Sequence, residues 1–252
     1  PFKPEFYEHL LGKPSRPAFD PQKTAHPRPE GNKAGHPPRV RLAMPTYKLS
    51  YFDLRGLGEV ARQLFHLSDT PFEDDRIQVE DWETGKMRKK STPFGQVPVL
   101  AVDGKEMTTS CSINRYLAKQ FGFAGKNPFE EALVDALADQ WMDYFEEVKP
   151  FLLTSNGIWP GEVTPALKER CEQGMAKNLP LFEKFAKEQG SAGHLVGASL
   201  TWIDLLLTDH FRSLLTYFPD ALSAYPTLES VKLMAKSHAK LSEWRTAHEQ
   251  PF

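Results

Sequence analysis

The sequence has few cysteines, no long apolar run and little net charge, and each shortage argues against a class of protein. Two cysteines, Cys111 and Cys171, are too few for a disulfide framework, and they do not form a CxxC pair. A transmembrane helix needs roughly 18 or more consecutive apolar residues, and the chain has no such stretch. The formal net charge of −2 argues against a nucleic-acid partner, which needs a dense basic surface. We therefore expect a soluble globular protein of a reducing compartment, the cytoplasm, without a membrane span.

Residues 1–43 differ in composition from the rest of the chain. They contain nine of the 21 prolines and carry eight Lys and Arg against four Asp and Glu. Such a segment buries too little apolar surface to offset the entropy lost on ordering, so we predict a disordered, Pro-rich basic extension. Two interpretations stay open, an inert tail or a tether for a protein partner. Because the sequence begins at Pro1 rather than Met, a secreted form that has lost a signal peptide also stays open.

Residues 44–122 combine strand and helix patterns in the order of a thioredoxin-like domain. Tyr47 to Phe52 alternates like a strand, and Glu59 to Leu67 has apolar residues at helical spacing. Phe72 to Gln78 predicts a second strand, which gives βαβ. The polar segment from Trp82 to Ser91 is predicted to be irregular. A hairpin and a helix then complete the domain.

The hairpin and helix lie between Pro93 and Tyr116. Val99 to Val102 leads into Asp103-Gly104, the strongest hairpin signal in the chain, and Thr109-Ser110 is expected to cap the following helix. A helix start behind a hydroxyl attracts a carboxylate. For these residues alone, the commoner explanation is an ordinary hairpin and helix of an α/β domain.

From residue 127 to 252 the chain is predicted to be helical. Pro128 suits a first helical position, and Thr201 to Asp204 predicts a capping box before an apolar helix that should be buried. One predicted helix carries acidic residues at every fourth position, namely Asp135, Asp139, Asp143 and Glu147. Like charges at this spacing repel one another, and nothing in the row offsets them. A solvated face is the commoner explanation for such a row.

Four segments together resemble a cytosolic glutathione transferase: Tyr47 to Phe65, Phe94 to Val99, Ser110 to Ile113 and Gly197 to Asp204. The stretches YKLSYFDLRGLGE, VEDW and PFGQVPVLAVDG are most similar to the sigma class, which includes the glutathione-dependent prostaglandin D synthases. The similarity covers about residues 44 to 250. It implies an α/β thioredoxin-like domain (βαβ-ββα) at 44–122, followed by an all-helical domain at 127–252.

The resemblance implies that Tyr51, at the end of the first strand, is the catalytic residue. Its task is to keep the glutathione thiol as thiolate, because the thiolate is the nucleophile and a free thiol has a pKa of about 8.5. Lowering that pKa by about two units needs roughly 2.7 kcal/mol. A hydrogen bond to a charged group supplies about 1.5–3 kcal/mol, so one hydroxyl is nearly sufficient. Strand alternation alone does not separate Tyr51 from Tyr47, which lies on the same strand face.

The resemblance also implies a set of residues that bind glutathione: Tyr51, Arg55, Trp82, Lys86, Lys89, Gln96, Val97, Pro98, Thr109, Ser110 and Asp143. Val97, before an implied cis-Pro98, would offer backbone groups to the cysteinyl moiety, as an added strand does. Ser110 would hold the γ-glutamyl carboxylate, and Trp82 would contact the glycyl end. Thr109 replaces a glutamine that is usual in the class. One further contact belongs to a lysine, and two residues match its position. Lys86 matches when the class pattern is aligned from Trp82 onward, and Lys89 matches when it is aligned backward from Phe94.

Further implied features concern the second substrate and the assembly. Leu54, Leu57 and Phe145 would line the electrophile pocket, and Leu57 replaces a commonly basic residue. Arg55 would add positive potential near the catalytic hydroxyl. Asp143 would reach across a homodimer to the γ-glutamyl amine, so that each site is completed by its neighbour. Asp139 matches a metal position of the prostaglandin synthases, but Met142 replaces another such position, so we expect no metal requirement.

These features predict an enzyme that conjugates the glutathione thiolate to hydrophobic electrophiles in detoxification. Glutathione peroxidase and prostaglandin H-to-D isomerase are narrower activities of the same kind. The alternative is a non-catalytic structural or binding protein on this fold, as in the sigma-like lens crystallins, with residues 1–43 as its tether. A thiol oxidoreductase is disfavoured, since Cys111 lies inside a helix and not at the end of the first strand.

Overall fold

The computed structural model describes residues 44–83 and 92–248. The predicted extension at 1–43 lies outside the described residues, and so do Lys86 and Lys89. The prediction of disorder for the extension and the choice between the two lysines therefore stay open.

Four strands form one sheet in the order β2-β1-β3-β4. They are β1 (Tyr47–Phe52), β2 (Glu73–Ile77), β3 (Val99–Val102) and β4 (Lys105–Thr108). The pair β1–β2 is parallel, whereas β3 is antiparallel to both β1 and β4. Asp103 and Gly104 have φ angles of 50° and 79°, the positive values that a type I′ hairpin needs at both central residues. The predicted hairpin is confirmed.

The helices of this α/β part are α1 (Glu59–Leu67), α2 (Val79–Glu83) and α3 (Ser110–Phe121), and a 3₁₀ turn at Gly56–Gly58 precedes α1. Helix α1 buries Val60, Leu64 and Leu67, as its spacing predicts. The prediction of an irregular segment from Trp82 is wrong at its start, because Trp82 lies within α2. The thioredoxin-like order βαβ-ββα is confirmed.

Five helices follow in the second part of the described chain: α4 (Pro128–Ser155), α5 (Pro165–Gln189), α6 (Trp202–Tyr217), α7 (Pro226–Ser237) and α8 (Ala239–Ala247). Thr201 and Asp204 form the predicted capping box. Helix α6 is buried along most of its length, so it is the centre around which the neighbouring helices pack. Within 44–83 and 92–248, no helix is long and apolar enough to cross a membrane.

The sequence suggested that nothing offsets the acidic row on α4, but the structure gives most of its members a cationic partner. Arg115 on α3 donates to Asp135 at 2.9 Å and also to Asp139. Lys177 on α5 lies 2.5 Å from Glu147. The cations come from other helices, which is why the spacing within α4 did not reveal them. Asp143 is exposed and takes part in none of the ion pairs found among the described residues.

Candidate active site

Tyr51 stands at the carboxyl end of β1, with its ring held in place by the turn that follows. Its side chain is buried, and the Leu57 N–H donates a 3.0 Å hydrogen bond to the Tyr51 hydroxyl. A Cβ at Gly58 would lie 2.5 Å from Tyr51 Cδ1, and one at Gly56 would lie 2.7 Å from the hydroxyl. Only residues without a side chain allow the turn to approach the ring this closely.

The structure gives the two tyrosines of β1 different surroundings. The Tyr47 ring packs against Phe65 and Phe121 in the apolar core, with ring centroids 5.2 and 6.0 Å away. Tyr51 instead lines a cavity of about 170 Å³. Alternation could not separate the two residues because both face the same side of the strand.

Burial raises the pKa of the Tyr51 phenol to about 12. The hydrogen bond from Leu57 and the positive charge of Arg62 oppose this effect only in part. The Arg62 guanidinium lies 5.8 Å from the centre of the Tyr51 ring. At neutral pH the phenol is therefore protonated. Its oxygen already accepts a hydrogen bond, so its own proton is available as a donor.

The cavity beside Tyr51 lies between the loop after β1 and the helices α4 and α6. Its apolar wall includes all three residues that the sequence predicts for the electrophile pocket, Leu54, Leu57 and Phe145. Aromatic and aliphatic side chains of the helical part complete the wall: Trp141, Leu153, Ile158, Trp159 and Leu206. Lys149, Asp209, His210 and Ser213 are its polar or charged members beside Tyr51. The cavity thus suits a mainly apolar molecule with few polar groups.

Arg55 is bound by α6. Its guanidinium donates to Asp209 Oδ1 at 2.6 Å and to Ser213 Oγ at 2.9 Å, and the residue is 5% exposed. The cation that lowers the pKa of Tyr51 in this structure is Arg62. The role predicted for Arg55, positive potential near the hydroxyl, is thus filled at least in part by another arginine.

His210 is a second buried polar group at the cavity. Its Nε2 lies 3.0 Å from the Tyr144 hydroxyl, and burial lowers the pKa of the imidazole to about 3. Tyr144 is itself fully buried. The imidazole is therefore neutral at physiological pH, and its pairing with Tyr144 fixes the ring orientation.

Sheet register brings several predicted glutathione contacts to one edge. Ser50 pairs with Val99 and Val99 pairs with Thr108, so Tyr51, Pro98 and Thr109 follow at the same end of three strands. The Val97-Pro98 peptide is cis, and the Thr108 hydroxyl donates to the Pro98 carbonyl at 3.2 Å. Ser110 begins α3 directly beyond this edge.

Thr109 has an unusual backbone conformation. Its φ is 68°, which is a rare value for a β-branched residue. Its hydroxyl bonds to Ser112 Oγ at 2.8 Å and not to a backbone N–H of the first turn. The prediction of a hydroxyl cap from Thr109 is therefore wrong, although Thr109 does occupy the N-cap position. Strain of this kind is concentrated at functional sites.

The remaining residues predicted to contact glutathione differ in their solvent exposure. Trp82 is buried and packs edge-on against Phe52, with centroids 5.8 Å apart. Gln96 is exposed on the loop before Val97, and Asp143 is exposed on α4. Neither Asp143 nor Trp82 is among the residues that line the cavity beside Tyr51.

The sequence reasoning missed Arg62, Asp209 and His210. A polar residue in a helix that is apolar on nearly all sides is rarely buried without a partner, so Asp209 in α6 carried a usable signal. Arg62 gave no such signal, because α1 has an ordinary polar face in the sequence. In the fold it is fully buried and donates to Asp74 at 3.0 Å and to the Leu54 carbonyl at 2.7 Å.

The described residues contain no group of three or more His, Cys, Asp or Glu side chains arranged to hold a metal ion. The absence of a metal requirement stays a prediction.

Comparison with known proteins assigns the family. Residues 47–119 match the glutathione S-transferase N-terminal domain, and residues 162–248 match the glutathione S-transferase C-terminal domain. Glutathione S-transferase 1 of Ascaris suum is 43% identical over 201 residues, which cover 80% of this chain and 96% of that protein. The solved glutathione S-transferase of Ascaris lumbricoides is 42% identical with a TM-score of 0.73, covering 82% of this chain and 98% of that one. The chain belongs to the glutathione S-transferase family.

Solved relatives carry more than one class name. A Haemonchus contortus structure titled a Nu-class transferase is 38% identical, with a TM-score of 0.70 over 81% of this chain and 98% of that one. The structure titled prostaglandin synthase D of Nilaparvata lugens is 31% identical, with a TM-score of 0.68, and the match covers 82% of this chain and 100% of that one. Na-GST-3 of Necator americanus is described as monomeric. It is 38% identical, with a TM-score of 0.73, and the match covers 80% of this chain and 97% of that one. The sigma class and the homodimer therefore stay predictions.

Proposed function

We propose that this protein is a glutathione transferase that uses Tyr51 to hold the glutathione thiolate for attack on hydrophobic electrophiles. The observation that carries the proposal is the buried Tyr51 hydroxyl, which accepts from Leu57 N–H at 3.0 Å and faces an apolar cavity. A phenol in this state donates its proton to an anion without losing it, because its pKa is raised to about 12.

The energy available from this arrangement fits the task. A hydrogen bond to a charged group contributes about 1.5–3 kcal/mol. Since about 1.4 kcal/mol corresponds to one pKa unit, Tyr51 alone would lower the thiol pKa by roughly one to two units from about 8.5. The Leu57 N–H polarises the phenol, which strengthens its donation. The thiol proton would pass to solvent on ionisation near neutral pH. Attack of the thiolate would then form the sulfur–carbon bond while the leaving group of the electrophile departs with its electron pair, or, in an addition, while the π bond of the electrophile breaks and the resulting carbanion takes a proton from solvent.

We infer that the sheet edge beside Tyr51 binds the peptide part of glutathione. Val97 lies before the paired positions of β3, which begin at Val99, so its backbone N–H and C=O would pair with an extended peptide as an added strand does. Ser110 opens α3, where the free N–H groups and the helix dipole attract a carboxylate. Trp82 and one of Lys86 or Lys89 would serve the glycyl end. Gln96 and Thr109 are further candidates on this edge.

The proposed second substrates are apolar electrophiles, in keeping with a detoxifying enzyme of the cytoplasm. The supporting observation is the cavity wall, in which Leu54, Leu57 and Phe145 line the same cavity as Tyr51. Peroxide reduction and prostaglandin H-to-D isomerisation remain narrower activities to be assayed. We also propose that the protein belongs to the sigma class, on the basis of the motifs YKLSYFDLRGLGE, VEDW and PFGQVPVLAVDG.

We also propose a homodimer in which Asp143 serves the neighbour's glutathione. Asp143 is exposed on α4 without an ion pair among the described residues, so its carboxylate is available to a partner. Phe94 and Phe129 are each 71% exposed, and large apolar side chains of this kind often lie at interfaces. Sedimentation of the parent and of Phe94→Ser would test the dimer, and a monomeric parent would reject it.

The central test is the ultraviolet absorbance of the glutathione thiolate on the protein as a function of pH. We expect ionisation near neutral pH for the parent and a shift upward by one to two pKa units for Tyr51→Phe. Tyr47→Phe is the matched control, because it removes a hydroxyl from the same strand face but from the core. It should titrate like the parent.

Two outcomes would count against the proposal. Absence of glutathione binding, or binding with an unshifted thiol, would favour the non-catalytic structural alternative. An equal shift in Tyr51→Phe and Tyr47→Phe would remove the specific role of Tyr51.

A further inference from the structure

A second pocket lies on the other side of α6 from the cavity beside Tyr51. It has a volume of about 450 Å³, and four basic side chains from three helices line it: Arg212 on α6, Lys232 and Lys236 on α7, and Arg245 on α8. Serine and threonine hydroxyls, including that of Thr208, also line the pocket, and no Asp or Glu side chain among residues 44–83 and 92–248 lines it. We call this site the basic pocket.

The charges of the basic pocket are only partly compensated. Arg212 lies 3.4 Å from Asp209, and Lys232 lies 2.5 Å from Glu229. Lys236 takes part in no ion pair among the described residues, and the same holds for Arg245. Two of the four cations therefore have a carboxylate partner within the part of the chain that the structure describes.

Arg245 is the group that most clearly lacks a partner. Among the residues that the structure describes, its buried Nε atom has no hydrogen-bond acceptor, and its terminal nitrogen reaches only the Thr208 hydroxyl, at 3.4 Å. Burial lowers the pKa of Arg245, and the like charge of Arg212 lowers it further, while Asp209 and Glu59 act in the opposite direction. Placing a guanidinium here costs free energy unless an anion or hydrogen-bond acceptor completes the site.

We propose that the basic pocket is a binding site for a small organic phosphate or sulfate. A tetrahedral oxyanion offers several acceptor oxygens, and these match donors that arrive from three helices and from the hydroxyls between them. Arginine is suited to phosphate because its planar guanidinium binds two oxygens at once. The volume lies within the range of about 300–1,000 Å³ that is common for small-molecule sites, so it leaves room for an organic group beside the oxyanion.

The basic pocket is separate from the proposed catalytic site. Asp209 and Ser213 line the cavity beside Tyr51, whereas Thr208 and Arg212 line the basic pocket from the same helix. Among the described residues, the two sites share no lining residue. Binding of the oxyanion can therefore be measured in the absence of glutathione.

The test is titration calorimetry on the full chain with two probes, inorganic phosphate and phenyl phosphate, at an ionic strength held constant with chloride. We expect saturable binding of phenyl phosphate in the parent and an affinity at least fivefold weaker in Lys236→Ala, whose exposed side chain can be removed without affecting the fold. Arg245→Met should abolish the signal. Lys184→Ala is the matched control, because Lys184 is an exposed lysine on α5 outside the pocket, and it should bind like the parent.

Each outcome decides the proposal. Tighter binding of phenyl phosphate than of inorganic phosphate would support an organic ligand, and equal affinities would support the site with free phosphate as its ligand. Absence of saturable binding, or equal weakening by Lys236→Ala and Lys184→Ala, would overturn it. Melting temperatures of the variants would separate a lost site from a lost fold, and Lys236→Ala should keep the parent value.

Discussion

Asp209 on α6 accepts a 2.6 Å hydrogen bond from Arg55, which lies in the loop after β1. The two side chains are 10% and 6% exposed, so the ion pair is nearly withdrawn from solvent. The ion pair connects α6, the central helix of the helical part, to the loop after β1, and this loop holds Tyr51 in position. Ser213 adds a second hydrogen bond to the same guanidinium at 2.9 Å.

Asp209→Ala should destabilise the fold strongly. The variant leaves the Arg55 guanidinium buried without its carboxylate, and removal of one partner of a buried pair costs about 3–5 kcal/mol. Denaturant unfolding measures the loss. The double variant Arg55→Leu/Asp209→Leu should recover most of it, because no buried charge is then left. If the double variant is as unstable as Asp209→Ala, the ion pair is not the cause.

Gly58→Ala should displace the Tyr51 ring. The new methyl would meet Tyr51 Cδ1 at 2.5 Å and Cγ at 2.7 Å, which is closer than such contacts allow. We expect a loss of about 1–3 kcal/mol in stability. If Tyr51 acts as proposed, a shift of its hydroxyl should reduce kcat/KM by about 10- to 100-fold.

The Tyr51→Phe background provides the control for Gly58→Ala. Phenylalanine keeps the clash but has no hydroxyl, so the stability loss should persist while most of the additional loss in kcat/KM disappears. An unchanged activity loss in that background would show that Gly58 acts on another part of the site.

His210→Gln should make the protein less sensitive to acid. The pKa of His210 is lowered from 6.5 to about 3 in the fold, so the unfolded chain takes up a proton below about pH 6.5 that the folded protein does not. The parent therefore loses stability as the pH falls from about 6.5 toward 3, by up to about 1.4 kcal/mol per pH unit from this group. Glutamine keeps a hydrogen-bonding group toward Tyr144 but has no titration in this range.

The measurement is the difference in free energy of unfolding between the parent and His210→Gln at pH 7 and at pH 5. Other titrating groups contribute equally to both proteins and cancel. We expect the difference to shift in favour of the variant at pH 5, and a difference that is independent of pH would reject the assignment.

Leu57→Ala should separate the two roles of this residue. Its backbone N–H holds the Tyr51 hydroxyl, whereas its side chain lines the cavity. The thiol pKa of bound glutathione should therefore stay unchanged. The value of kcat/KM for an apolar electrophile should fall by roughly fourfold to 60-fold, since the substitution removes three carbons and each buried methylene contributes about 0.8 kcal/mol. A shifted thiol pKa in this variant would contradict the separation.

The sequence by itself determined the elements that depend on neighbouring residues. The hairpin at Asp103-Gly104 requires positive φ at both positions, and the capping box of Thr201 and Asp204 satisfies the helix start within one turn. Strand alternation placed Tyr47 and Tyr51 on one face. The motif resemblance then selected Tyr51, a choice that alternation alone could not make.

The tertiary structure decided what depends on distant segments. Arg115 and Lys177 neutralise most of the acidic row on α4 from two other helices. Arg55 meets Asp209 across 154 positions of sequence, and the four cations of the basic pocket come from three helices. Local patterns record the preferences of the backbone over a few residues. Electrostatic partners and burial are fixed only when the helices pack, so the charge balance around Tyr51 and in the basic pocket could be read only from the folded chain.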